Sequence, residues 1–201
     1  MQQKPNRLRF ALNALLSIML IITLAGCEQQ KPQTGLDLNR AYPSESGGTL
    51  VDAISGEPSN LIAMMAGESS SSAIAGNIFN SLLKYDKNLE LTGELAQSWE
   101  VSADQKTITF HLKPNLKWAD NQPLTSDDVL FTWQTVTDDN THTPYGADYK
   151  LVKKAEAPNP STFIVTYAQP YAPALDSWSG LHILPKHLLA GQDINNTPFS
   201  R

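Results

Sequence analysis

The chain is 201 residues long, 41% hydrophobic, 17% charged and 8% aromatic. That composition is ordinary for a globular protein of one or two domains and excludes a disordered, collagenous or coiled-coil chain. Fifteen Lys and Arg against 20 Asp and Glu give a net charge of −5, and three of the cations, Lys4, Arg7 and Arg9, stand in the first 26 residues without an acid. The remainder therefore holds twelve cations against 20 acids, or −8. So acidic a surface repels phosphate backbones, and the single adjacent basic pair, Lys153 and Lys154, is too small to anchor nucleic acid. One cysteine, Cys27, excludes an internal disulfide and a cysteine metal cluster.

Lys4, Arg7 and Arg9 precede an uncharged run of 17 residues, Phe10 to Gly26, broken by Asn13, Ser17 and Thr23. A spanning helix needs about 20 strongly apolar residues, whereas a shorter run behind a basic start suits a secretory signal over residues 1–26. The run ends in Leu24-Ala25-Gly26-Cys27, which resembles the bacterial lipobox and implies cleavage before Cys27 and lipidation of that residue. Each buried acyl CH₂ contributes roughly 0.8 kcal/mol, so several chains on one residue would hold the body at a membrane. The alternative is an uncleaved N-terminal anchor. Both place the body outside the cytoplasm, in the periplasm or on the outer face of the cytoplasmic membrane. Residues 27–48 are polar with Gly and Pro and read as a flexible tether, with folded structure over 49–201.

Thr49 to Ile54 reads as a short strand, and Asn60 to Ser72, rich in Gly and Ser, as a loop. From Ala73 a helical period sets in: Ile74, Ile78, Leu82 and Tyr85 form a stripe widened by Phe79 and Leu83, ended at Asp86 to Asn88 with Asn88 as the left-handed cap. Trp99 and Val101 alternate with polar neighbours, Ser102 to Lys106 turns, and Ile108, Phe110 and Leu112 alternate with Thr107, Thr109 and His111. This is a hairpin with one apolar and one wet face, His111 lying on the wet one. Leu116 to Trp118 reads as a further short strand. Thr125 then caps a helix, with Asp128 as capping-box partner and Leu124 and Val129 placed for a hydrophobic staple. Capping accounts for Asp127 and Asp128 without a catalytic pair, because carboxylates there complement the helix dipole. Residues 138–150 read as a polar loop without the spacing of a calcium site, Thr162 to Tyr167 as a strand, and Ala174 to Trp178 as a helix. His182 and His187, with Pro185 between them, cannot share a helix face as a metal pair.

No G-x-S-x-G elbow, H-E-x-x-H, P-loop or G-x-G-x-x-G occurs. No enzyme, cofactor or metal is expected.

The segment Gly93–Gln134 resembles the signature region of family 5 extracytoplasmic solute-binding proteins, the peptide-binding components of ABC importers. The residues that carry the resemblance are Leu95-Ala96-Gln97-Ser98-Trp99, Asp104, Thr107 to Leu112, Lys117-Trp118 and Pro123 to Phe131. It extends upstream through Glu57 to Leu61 and Ile78 to Asp86, and downstream through Thr143-Pro144-Tyr145 and Ile183 to His187. Three turn positions that are usually Gly in the family are Gln105, Asn115 and Asn121. The two Asn tolerate positive φ at modest cost, while Gln105 suggests a different turn type.

The resemblance implies an α/β fold, periplasmic-binding-protein-like class II, of which this sequence would be the N-terminal lobe only, a mixed sheet plus flanking helices, truncated before the second lobe. It implies short peptides as cargo, ABC permease subunits as partners and a monomer. One cleft wall would come from Gly67, Glu68 and Ser69 after the first strand and from Tyr145. The bland alternatives are that the serines cap the next helix, that Glu68 is a solvated charge and that Tyr145 packs on the lobe. Trp99, Trp118 and Trp133 read as core. A nickel, haem, murein-peptide or sugar cargo is the alternative within the family. A truncated non-transport lipoprotein or an extracytoplasmic hydrolase is the alternative outside it. Alone, the segment is expected to fold only partly and to bind peptide weakly or not at all.

Overall fold

The computed structural model describes residues 51–200. The expected signal peptide, Cys27, the tether and the first two residues of the expected strand at 49–54 lie outside the described residues. Val51 to Ile54 are exposed and belong to no strand. Their apolar residues meet no partner ladder, so composition alone does not make them β.

A 3₁₀ turn at Ala63–Met65 leads into helix α1, Ser69–Ile78. The helix begins within the segment expected to be loop because Ser70, Ser71 and Ala75 are small enough to be buried along one side. It ends where Phe79 N bonds Ala75 O (2.9 Å) and the backbone turns extended. Leu82, Leu83 and Tyr85 are therefore not on that helix. Strand β1, Leu83–Tyr85, pairs antiparallel with β2, Leu91–Gly93. The apparent helical stripe joined a true helix to an apolar strand whose spacing happened to fit. Between β1 and β2, Asp86 Oδ1 accepts from Asn88 N (2.8 Å) and Glu90 N (2.9 Å). Leu89, with φ 62°, takes the left-handed position expected of Asn88.

The main sheet consists of β3 (Ala96–Val101), β4 (Thr107–Leu112), β5 (Val152–Asn159) and β6 (Thr162–Tyr167) in the order β3-β4-β6-β5. Among the described residues every ladder is antiparallel, where a mixed sheet was expected; the lobe itself is mixed α/β as expected. The β3–β4 hairpin and β6 lie where their alternation predicts. Strand β5 was not legible because Lys153, Lys154, Glu156 and Pro158 interrupt any apolar pattern. An edge strand tolerates such residues, since one side of it needs no partner. Leu116 to Trp118 forms only an isolated bridge, Lys117 to Pro123. Phe110 pairs with Phe163 and Ile108 with Val165, so Ile108, Phe110, Leu112, Phe163, Val165 and Tyr167 line one buried face. His111 lies on the half-exposed face, 3.8 Å from Glu100.

Helix α2, Ser126–Thr137, packs on β5 and β6. Its capping box is formed as expected: Asp127 N donates to Thr125 Oγ1 (3.3 Å) and Thr125 N to Asp128 Oδ2 (2.9 Å), and the staple residues Leu124 and Val129 are both buried. Two short helices follow, α3 (Gly146–Tyr149) and α4 (Ala174–Gly180), and then α5 (Lys186–Leu189). Trp178 on α4 is wholly buried, its ring centroid 5.3 Å from that of Phe163, 5.8 Å from Phe110 and 5.7 Å from Tyr149. Trp99, Trp118 and Trp133 pack against this core as expected.

All three turns that lack glycine keep the left-handed backbone: φ is 56° at Gln105, 58° at Asn115 and 69° at Asn121. The different turn type expected at Gln105 is not adopted. Ser102 N to Thr107 O (2.9 Å) and Gln105 N to Ser102 O (2.8 Å) close the hairpin and hold Gln105 there. A non-glycine residue at positive φ costs about 1–2 kcal/mol, offset in part by the larger unfolded-state entropy of glycine. Gln105→Gly is therefore expected to stabilise the chain by about 1 kcal/mol, read as a higher urea midpoint at unchanged slope.

Candidate functional site

Two hydrogen bonds join parts of the chain some eighty residues apart. Thr143 Oγ1 donates to Met64 O (2.6 Å) and Tyr145 Oη donates to Ala66 O (2.8 Å), so the Thr143-Pro144-Tyr145 segment clasps the 3₁₀ turn and the backbone after it. Gly146 sets the approach of α3, because a Cβ there would come 2.8 Å from Val136 O at the end of α2. Between this clasp and α4 lies a cleft of about 390 Å³. It falls within the range of about 300–1,000 Å³ typical of small-ligand sites.

Of the residues expected at the site, Tyr145 lines this cleft, about half exposed. Gly67, Glu68 and Ser69 do not line it, though they follow directly on Ala66, to which Tyr145 is bonded. Gly67 is exposed with open space around its Cα. Ser69 is the first residue of α1 and exposed. Glu68 is not a solvated charge: its carboxylate accepts from Ser59 N (3.0 Å), Ser59 Oγ (2.9 Å) and Ser71 Oγ, tying the segment before the 3₁₀ turn to α1. Those bonds, the Ser59 backbone bond first, hold its carboxyl at about 2, below the ordinary 4.5. The unfolded chain thus takes up the proton first as acid is added. The stability Glu68 confers is complete above about pH 4.5 and lost as pH falls toward 2. Glu68→Gln is expected to flatten the fall in melting temperature between about pH 5 and 3, measured by calorimetry across that range.

The cleft also takes residues that no sequence pattern announced. Asp148 and Tyr149 come from α3, Tyr171 from the segment before α4, Asp176 and Ser177 from α4 itself, and His182 from beyond it. A denser reading of two short segments, Tyr145 to Tyr149 and Tyr171 to Asp176, each pairing tyrosine with aspartate, is the one signal that would have found the tyrosines and aspartates; Ser177 and His182 carried none. Tyr149 Oη donates to Ser177 O (2.7 Å), and burial, with the Asp148 charge next, pushes its hydroxyl well above the ordinary tyrosine range. Tyr85 Oη donates to Asp176 Oδ1 (2.8 Å), which raises that tyrosine. Burial lowers His182, against the opposing charge of Glu94, and so disfavours its cationic form. The cleft therefore joins aromatic surface to two carboxylates with no Lys or Arg on its lining.

The family model for bacterial extracellular solute-binding proteins, family 5 middle region, matches residues 90–200, a little over half of the chain. The chain belongs to this family. Among the curated proteins it resembles, the oligopeptide-binding protein OppA of Bacillus subtilis is 29% identical over 146 residues, 73% of this chain and 27% of that protein. Two solved structures share the lobe. NikZ of Campylobacter jejuni in complex with Ni(L-His) matches at TM-score 0.66 and 27% identity over 72% of this chain and 29% of that one. OppA of Haemophilus influenzae in complex with RPPGFSPFR matches at TM-score 0.62 and 28% identity over 66% and 30%. The matched stretches amount to 21% to 36% of the curated relatives' own lengths. Among the described residues no three His, Cys, Asp or Glu converge as metal ligands, and no helix is long and apolar enough to cross a membrane.

Proposed function

We propose that this chain is part of the substrate-binding subunit of an ABC importer and that the cleft between the Thr143-Pro144-Tyr145 clasp and α4 is one wall of its peptide site. Short peptides lie against the tyrosines of the cleft and bond its polar atoms, and a second lobe closes over them by hinge motion before the loaded form meets the permease. No bond is made or broken, so the protein is no enzyme. Cys27 carries the lipid anchor, residues 1–26 are the signal and residues 27–48 the tether, which place the body in the periplasm or on the outer face of the cytoplasmic membrane. Gly67, Glu68 and Ser69 adjoin the site without lining it, following directly on the Ala66 backbone held by Tyr145.

The observation that carries this reading is that the clasp, made by a motif on which the family resemblance rests, shapes a cleft of ligand size. The peptide ligand named for one solved relative, and the peptide-binding names of others, support peptides over nickel. Because Tyr145, Asp148 and Asp176 are exposed at the rim, a peptide is covered on one side only, and affinity on the order of 1 mM is expected. Titration of the ¹⁵N-labelled chain with mixed tri- to pentapeptides should shift the amides of Tyr145, Asp148 and Ser177 first. Shifts confined to other parts of the lobe, or none at all, overturn the assignment.

A further inference from the structure

Five of the six hydroxyls on the cleft lining have spent their protons inward, that of Tyr171 being the exception. Ser72 Oγ donates to Glu68 O (3.1 Å), Tyr145 Oη to Ala66 O (2.8 Å) and Tyr149 Oη to Ser177 O (2.7 Å). On α4, Ser177 Oγ donates to Pro173 O (3.2 Å) and Ser179 Oγ to Asp176 O (2.7 Å). What these groups still offer a ligand is oxygen lone pairs. The two carboxylates on the lining are those of Asp148 and Asp176; neither forms an ion pair, although Asp176 Oδ1 already accepts from Tyr85 Oη (2.8 Å). The nearest basic residue along the chain, Lys150, is engaged elsewhere, with its Nζ 2.5 Å from Asp139 Oδ1. Both aspartates are exposed, so a ligand that pairs with them does not first have to strip a buried carboxylate of water. The rings of Tyr145 and Tyr171 share the apolar part of the lining with Met64, Pro173 and Leu181, and their faces attract cations.

Acceptor oxygens, two carboxylates without a cationic partner and aromatic faces together suit a ligand rich in N–H donors and positive charge. We infer that the cleft selects peptides carrying a basic side chain, receiving a lysine ammonium or arginine guanidinium on the Asp148 and Asp176 carboxylates. This inference rests on the peptide-binding role proposed above and assigns that role its substrate class. A glutamate side chain in the same place meets like charge and lone pairs and is rejected; a leucine side chain gains the tyrosine surface but leaves both carboxylates without a cation.

The test is titration of the full chain, followed by NMR, with N-acetylated and C-amidated Ala-Lys-Ala, Ala-Arg-Ala, Ala-Leu-Ala and Ala-Glu-Ala, and with unblocked Ala-Ala-Ala. The Lys and Arg peptides are expected to bind about tenfold more tightly than the Leu peptide and the Glu peptide more weakly still. The preference should shrink to about onefold in Asp148→Asn/Asp176→Asn and fall several-fold between about 20 mM and about 300 mM salt, while Glu100→Gln, on β3 outside the cleft, leaves it unchanged. Equal affinity for the Lys and Leu peptides overturns the charge selectivity and leaves peptide binding standing. Tighter binding of unblocked Ala-Ala-Ala than of blocked Ala-Lys-Ala overturns it in favour of an α-amino group as the cation. Absence of shifts with every peptide overturns peptide binding itself and the selectivity with it.

Discussion

Trp178→Ala is expected to lower the unfolding free energy by about 3–5 kcal/mol, the range for removing a fully buried large aromatic side chain. Trp178 is wholly buried, and its ring packs on Phe110, Phe163 and Tyr149, so truncation opens a cavity with walls from β4, β6, α3 and α4. Its Nε1 also donates to Tyr167 Oη (3.1 Å), and Tyr167 is nearly as buried as the tryptophan. The same burial pushes the Tyr167 hydroxyl up to about 12, so it stays protonated and loses a partner when the indole goes. Because domains are stable by only about 5–15 kcal/mol, the variant should approach half-unfolding well below the denaturant midpoint of the parent. Urea titration followed by far-ultraviolet circular dichroism measures this without relying on tryptophan emission. Trp178→Phe retains most of the ring volume and should recover more than half of the loss. The functional consequence follows from position: Asp176 and Ser177 precede the anchor on α4, so the cleft wall loosens with it.

Asp128→Ala comes next, at about 2–4 kcal/mol. The carboxylate serves two parts of the fold. Oδ2 accepts from Thr125 N (2.9 Å) to complete the capping box, and Oδ1 accepts from Lys186 N (3.0 Å) at the start of α5. Loss of the cap costs about 0.5–2 kcal/mol, and a half-buried backbone N–H left without an acceptor costs about 1–3 kcal/mol more. Thr132, one turn on, repeats the arrangement, its Oγ1 donating to Asp128 O (2.7 Å) and accepting from Leu184 N (2.9 Å). Residues of α2 thus hold the chain from Leu184 to Lys186 by side-chain bonds. Asp128→Asn keeps one oxygen and should cost less than alanine. Asp128→Ala/Thr132→Val should fall short of the sum of the single losses, since both act on one segment. A full sum would show that the two bonds are independent.

The strong signals in the sequence were local. The capping box at Thr125 and Asp128, the hairpin over 96–112 and the strand at 162–167 each repeat a backbone requirement in neighbouring residues, so they were legible. Strand β5 was not, because its partner β6 lies on one side only and its charged residues satisfy an edge that imposes no apolar pattern. The run from Ile74 to Tyr85 misled because helical spacing says nothing about where the chain leaves the helix; that is set by burial of Leu82 and Leu83 against distant elements. Gln105 kept its turn because two hairpin bonds outweigh the cost of its backbone conformation.

The lining of the candidate cleft divides in the same way. Tyr145 was legible through a motif of three adjacent residues. Asp148, Asp176, Tyr171 and His182 were not, because they become neighbours only when α3 and α4 pack on Trp178, and the bonds from Thr143 to Met64 and from Tyr145 to Ala66 span 79 residues. By itself the sequence determined the family, the α/β class, the caps and turns, and an acidic surface hostile to nucleic acid, all of them properties of composition or of contacts a few residues long. The tertiary structure alone decided which carboxylates share a cleft and which hydroxyls have already spent their protons, since long-range packing leaves no mark in the local order of residues.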